Sequence, residues 1–213
     1  MARSDVQLML DVKAGDELSF ELLLHRYRTP LVHFLYRMVR DQASAEDLAQ
    51  EVFLRVYRAR EQYEPSAKFT TWMFRIATNL ALNAKRDGRH RQMEVSIGQP
   101  GETPGETNTG HASSVEVADA QPGIESELIA RDRAALIRRA IEALPEKQRA
   151  AVLLHKYQEM GYDEIAKVLQ CSESALKSLL FRAYETLRTE LAPLVETGRA
   201  PAARVKSGEV RTS

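Results

Sequence analysis

Apolar residues recur at three-to-four spacing along most of the chain, and strand-like alternation is nearly absent. In "DELSFELLLHRYRTPLVHFLYRMV" the positions Phe20, Leu23, Leu24 and Tyr27, then Leu31, Phe34, Leu35 and Met38, fall on one side around Pro30 and are expected in a core. "SAEDLAQEVFLRVYRAREQY" opens with Ser44 three residues before Asp47, the pattern of an N-cap and its reciprocal acid, and puts Leu48, Val52 and Val56 on a buried face. Asp47, Gln50, Glu51, Leu54 and Arg58 fall on the other side. An exposed leucine among polar groups suits a protein partner, although a plain solvated face fits the spacing equally well.

The next segment, "FTTWMFRIATNLALNAKRDGRHRQ", places Trp72, Ile76 and Leu80 at steps of four, facing inward, while Arg75, Asn79, Asn83 and Arg86 line another face. Amides pair with base edges and guanidiniums with phosphates. Phe69, Trp72 and Phe74, near the helix start, could stack on an unpaired base. Core aromatics with solvated amides would give the same pattern.

A further helix is expected from about Glu125 to Leu144, and Pro145 suits the first turn of the one after it. In "MGYDEIAKVLQCSESALKSLLFRAYETLR", Tyr162, Ile165, Ala166 and Leu169 make the buried face of a short helix, and Gln170 to Ser172 turn the chain. Leu176, Leu179, Leu180 and Ala183 offer apolar contacts on a longer helix. This is a helix-turn-helix pattern, in which the second helix enters the major groove; it would present Glu173, Ser174, Lys177, Ser178 and, one turn later, Phe181 or Arg182 to bases. An ordinary helical hairpin is the other reading.

Charge and composition divide the chain. The net charge of the 213 residues is zero, yet residues 92 to 130 hold 7 acids and no Lys or Arg, while the flanking stretches are mildly basic. From Gln92 to Gly123 the sequence is rich in Gly, Pro, Ser, Thr and Glu, without periodic apolar positions, so it cannot repay its ordering entropy by burial. The expected organisation is all-α: a helical domain over 1–91, a flexible acidic linker over 92–124, a helix-turn-helix domain over 125–195 and a disordered tail over 196–213.

No run approaches the roughly 20 apolar residues of a membrane span, and acids interrupt the N-terminal stretch, so a cytoplasmic protein is expected. Cys171 is the only cysteine and the five histidines never reach metal-ligand spacing. Neither metal nor cofactor is expected. No serine–histidine pairing and no phosphate-binding glycine loop points to an enzyme.

Taken together, the segments resemble a known family, the extracytoplasmic-function sigma factors of the bacterial sigma-70 family, over about residues 5 to 191. "AEDLAQEVFLRVY" is similar to region 2.2, "FTTWMFRIATNLALNAKR" to regions 2.3 and 2.4, and "LPEKQRAAVLLHKYQEMGYDEIAKVLQCSESALKSLLFRAYETLR" to regions 4.1 and 4.2. The resemblance implies an RNA polymerase subunit that reads minus-ten and minus-35 promoter elements and helps melt the duplex. Asp47, Gln50 and Glu51 would dock on the β′ clamp helices. A flipped base would sit near the loop of about Ser66 to Thr71, with Phe69, Trp72, Arg75, Asn79, Asn83 and Arg86 serving the minus-ten element. The minus-35 element would fall to Glu173, Ser174, Lys177, Ser178, Phe181 and Arg182. An anti-sigma factor masking both domains is implied by the family alone. Three positions depart from the pattern: Gln170 stands where members usually have glycine, and Leu179 and Tyr184 where they usually have arginine. The competing expectation is a conventional helix-turn-helix regulator that binds duplex DNA without polymerase.

Overall fold

The computed structural model describes residues 3–98 and 124–197, with side chains for 3–86 and 130–192. Most of the acidic stretch and most of the C-terminal tail therefore lie outside the described residues. Among those described, the regular structure is entirely helical: α1 (Asp5–Lys13), α2 (Glu17–Val39), α3 (Gln42–Arg58), a 3-10 turn (Arg60–Gln62), α4 (Phe69–Gly98), α5 (Ile124–Ala143), α6 (Glu146–Tyr157), α7 (Tyr162–Leu169) and α8 (Glu173–Thr197).

Local chemistry sets the boundaries. Ser4 caps α1 by accepting from Gln7 N at 3.2 Å, and α1, an element with no counterpart in the sequence reading, buries Leu8, Met9 and Val12. Gly15 takes a φ of +97° at the turn into α2, where a side chain would be strained, and Asp16 caps α2. The helix continues through Pro30. The cap of α3 is Asp41, which accepts from Ser44 N at 2.7 Å. Ser44 is thus the donor rather than the expected cap, because α3 starts three residues earlier than expected, at Gln42.

The first half packs α2, α3 and α4 around Leu23, Leu31, Phe34, Leu35, Met38, Val52, Phe53, Val56, Met73 and Phe74, with Phe34 and Phe74 edge-to-face at 5.2 Å. The expected inward stripe of α4 is shifted. Phe69, Met73, Phe74, Ala77 and Ala81 are buried, while Trp72, Ile76 and Leu80 are half-buried at the flank. Contacts with both α2 and α3 widen the apolar arc, and the small Ala77 and Ala81 face the core.

In the second half α6 is the central helix, with Ala150, Ala151, Val152, Leu153 and Leu154 all buried. Pro145 precedes α6 as its N-cap rather than entering its first turn. On α7 the buried side chains are Ile165, Ala166 and Val168; Tyr162 is exposed and Leu169 half-buried, so the expected face is rotated.

The two halves pack against each other. α2 meets α6, α4 meets α7, and their buried side chains belong to one apolar cluster. At the join Arg149 of α6 is 3% exposed. Its Nε donates to Ile141 O at 3.3 Å, Nη2 to Leu144 O at 2.9 Å and to Glu142 O, and Nη1 reaches across to Met38 O of α2 at 3.2 Å. These carbonyls lie at the C-terminal ends of α5 and α2, where helical partners run out and the helix dipole favours a cation.

Arg149→Met should therefore destabilise the protein by about 1–3 kcal/mol, because it leaves buried carbonyl acceptors without their donor. Arg149→Lys should recover less than half, since a single ammonium cannot span the carbonyls that the planar fork reaches. Urea unfolding followed by emission of Trp72, in the other half, should report the loss. A Trp72 transition unmoved while helix content falls at lower urea would show the halves to be energetically independent.

Candidate nucleic-acid interface

Between the end of α3 and the start of α4 the chain encloses a cavity of about 530 Å³, lined by Ala59, Gln62, Tyr63, Glu64, Ser66, Ala67, Thr71, Trp72 and Arg75, with Lys167 of α7 at its edge. Trp72 and Tyr63 form an aromatic wall, their rings 5.3 Å apart. Tyr63 Oη and Thr71 Oγ1 are buried, and neither hydroxyl finds a protein partner. Burial, with a smaller contribution from the Asp5 carboxylate, pushes the Tyr63 phenol above its ordinary range, so it stays a neutral donor and acceptor. Unpaired buried hydroxyls cost stability, and these two leave hydrogen-bonding capacity unused beside an aromatic wall.

The helical stripe continues from this cavity. Arg75, Asn79, Asn83 and Arg86 all lie on the exposed face of α4. Phe69 does not reach the surface: it is 1% exposed and sits beneath Trp72 and Tyr27. Trp72 is therefore the stacking candidate, and Phe69, like Phe74, is core. Thr71 falls at the end of the expected Ser66 to Thr71 loop, whereas sequence reasoning missed Tyr63; a tyrosine in the "EQYEP" turn gives no periodic signal.

On the second half, α7 and α8 form the helix-turn-helix. Ser172 caps α8 by accepting from Ala175 N at 3.2 Å, and Ser178 Oγ donates to Ser174 O at 3.0 Å. Leu176, Leu180 and Ala183 anchor α8 inward. Glu173, Ser174, Lys177, Ser178, Phe181 and Arg182 are all exposed together, Phe181 to 68%. Tyr184 turns inward instead, its Oη 2.8 Å from His155 Nδ1, and Leu179 is half-buried. Those two side chains serve packing where a basic residue would serve phosphate. Burial lowers the His155 pKa and raises that of Tyr184, which keeps the pair neutral.

A third feature is apolar. A groove of about 640 Å³ runs between α2 and α3, lined by Phe20, Leu24, Val32, Phe53, Leu54 and Tyr57 with Glu17, Glu21, Arg28, Glu46, Ala49 and Gln50 around them. Leu18, Leu22 and Leu54 stay exposed on these helices. Of the three expected docking residues, Gln50 lines the groove, Asp47 is exposed, and Glu51 is half-buried and paired with Arg55 at 2.7 Å. Among the described residues no group of His, Cys, Asp or Glu could hold a metal ion, and no helix is long and apolar enough to cross a membrane.

Known proteins share this arrangement. Residues 23–91 match the family described as Sigma-70 region 2, and residues 134–187 match Sigma-70, region 4. The chain is 32% identical over 193 residues to the RNA polymerase sigma-H factor of Pseudomonas aeruginosa, covering 90% of this chain and 95% of that one. It is 29% identical over 195 residues to the ECF RNA polymerase sigma-E factor of Escherichia coli K12, covering 90% and 96%. Its fold is similar to that of CnrH, solved with the cytosolic domain of CnrY, at a TM-score of 0.59 and 18% identity over 92% of this chain and 99% of that one. It is likewise similar to the sigma factor RpoE of Bartonella quintana, solved with the anti-sigma factor NepR, at 0.57 and 21% over 81% and 96%. Two helical units, each matching its region in the expected order, and a relative this similar along nearly its whole length identify the chain as a member of the sigma-70 family, an RNA polymerase sigma factor of the extracytoplasmic-function type.

Proposed function

We propose that this sigma factor captures one unpaired base of the minus-ten element in the Tyr63–Trp72 cavity. The observation that carries the reading is the pair of buried, unpartnered hydroxyls, Tyr63 Oη and Thr71 Oγ1, beside an aromatic wall. Stacking supplies affinity for any base and the hydroxyls supply discrimination at its polar edge. Arg75, Asn79, Asn83 and Arg86 then follow the strand along α4. Melting is driven by capture of single-stranded bases, without nucleotide hydrolysis, so the protein carries out no catalysis of its own.

The minus-35 element falls to the exposed face of α8. Lys177 and Arg182 meet phosphate or guanine, and Phe181 offers an apolar surface to a thymine methyl. The groove between α2 and α3, with Gln50 and Leu54 on its wall, is where the β′ clamp helices dock, burying the leucines that the free chain exposes. The solved Bartonella RpoE carries an anti-sigma partner, and the two DNA-reading faces are the surfaces such a partner would mask here.

Transcription from a pool of genomic fragments with added core polymerase identifies the promoters and supplies the assay. Thr71→Val swaps an unpaired buried hydroxyl for a methyl, so the fold should lose no stability. Promoter opening by the assembled complex should nevertheless fall about five- to tenfold, the loss of one hydrogen bond in a closed pocket, with polymerase affinity unchanged. Full opening by this variant would remove the cavity from the mechanism. Arg182→Ala should reduce the log–log salt slope of promoter binding by about one if it meets a phosphate, or relax preference at one base pair if it reads an edge. Neither change would mean that α8 does not face the DNA.

A further inference from the structure

The aromatic wall of the base cavity consists of two rings, and one of them, Tyr63, lies outside any helix. It follows the 3-10 turn and precedes Pro65, in a stretch over 63–68 without regular structure. Its N–H donates to Arg60 O at 3.2 Å, and its carbonyl accepts from Lys13 Nζ at 3.0 Å, a bond between residues fifty positions apart. The ring is buried while its hydroxyl is unpartnered, so no bond at the ring tip fixes where the phenol points. The backbone sets that direction, and Lys13 grips the backbone from outside the turn.

Lys13 reaches this carbonyl from a firm base. Leu8, Met9 and Val12 bury one side of α1 in the first-half core, and α1 packs against both the 3-10 turn and α4. Lys13 lies in the last turn of that helix, where a cation is also favoured by the unpaired carbonyls.

The other end of α1 supports the second ring. Asp5 accepts hydrogen bonds from Tyr27 Oη and from Arg26 Nη1. The Tyr27 ring lies 5.5 Å from that of Phe69, and Phe69 packs at 6.1 Å against Trp72. Burial, then the hydrogen bond to Asp5, pushes the Tyr27 phenol far above its ordinary range, so it remains a donor to that carboxylate.

The geometry points to α1 as the positioning element of the base cavity: Lys13 holds Tyr63 at its carbonyl, and Asp5, through Tyr27 and Phe69, holds Trp72. The two wall rings are tilted 45° to each other, and a binding site of this kind must keep its parts to within about 0.5 Å. Neither Lys13 nor Asp5 lines the cavity, so each acts through another residue and neither meets the base itself. The consequence for promoter opening rests on the base-capture reading above.

The test uses the holoenzyme and a promoter recovered by the transcription assay, with an abasic site placed in turn at each minus-ten position of either strand. At the captured position the abasic site removes the ring that the cavity takes, and the unaltered protein should open that promoter about tenfold more slowly, the worth of one stacked base. Lys13 is exposed, and Lys13→Met keeps an apolar stem while removing the donor, so the chain should fold. This variant should slow opening of the intact promoter about fivefold, as loss of one hydrogen bond does, and leave the abasic promoter at its already lowered rate. Lys13→Arg, which keeps a cationic donor, should recover most of the loss. Tyr27→Phe keeps the ring against Phe69 and removes the bond to Asp5; it should show the same selectivity for the intact promoter. A defect in folding or in polymerase affinity would slow both promoters by one factor. Equal slowing of the two, or no slowing of either, would overturn the role given to the residue replaced. If the unaltered protein opens every abasic promoter as fast as the intact one, base capture itself fails and the positioning role falls with it.

Discussion

Arg149 is the interaction on which the arrangement depends. A buried guanidinium without partners would cost several kcal/mol, and here it is held by carbonyls at the ends of two helices from opposite halves of the chain. The same bonds satisfy groups that would otherwise be orphaned where α2 and α5 stop. Three of the carbonyls, those of Ile141, Glu142 and Leu144, are local to the second half, and Met38 O completes the coordination across the join. That makes the interface specific in orientation as well as apolar. Rotating one half about the other would leave the Met38 carbonyl without this donor.

That orientation sets α7 over α4. The Gln170–Arg75 and Lys68–Glu164 contacts lie at the exposed rim, where each contributes modestly and is weakened by salt. Hydrophobic burial and Arg149 therefore hold the halves together, and the rim contacts determine which surface is hidden. The unpartnered hydroxyls of Tyr63 and Thr71 cost the free chain stability, and they line the cavity beside Trp72.

Helix content and order were legible from periodicity because α2, α3, α4, α6 and α8 each carry a clear apolar face. The details of those faces were not. On α4 the burial of Phe69 and Phe74, with Trp72 at the flank, follows from having both α2 and α3 as neighbours, which spacing alone cannot reveal. On α7 an eight-residue helix samples too few turns to fix its rotation, and Val168 replaced Leu169 inside. The exposed sextet on α8 was readable because its apolar and polar positions separate cleanly. Tyr63 was not, since a pocket wall drawn from a turn has no period. Contact between the halves was least legible of all: Arg149 and Gln170 look like ordinary surface residues until their partners, far away in sequence, are known.

A zero-length carbodiimide cross-link is the most direct measure of whether the two reading faces meet in solution. It joins a lysine to a carboxylate only when they touch, and Lys68 and Glu164 are 3.0 Å apart across the interface. The free chain should yield a peptide linking Lys68 to Glu164. The Lys167–Asp163 pair within α7 serves as the control. A free chain that yields the Lys167–Asp163 link and none between Lys68 and Glu164 would contradict the closed arrangement.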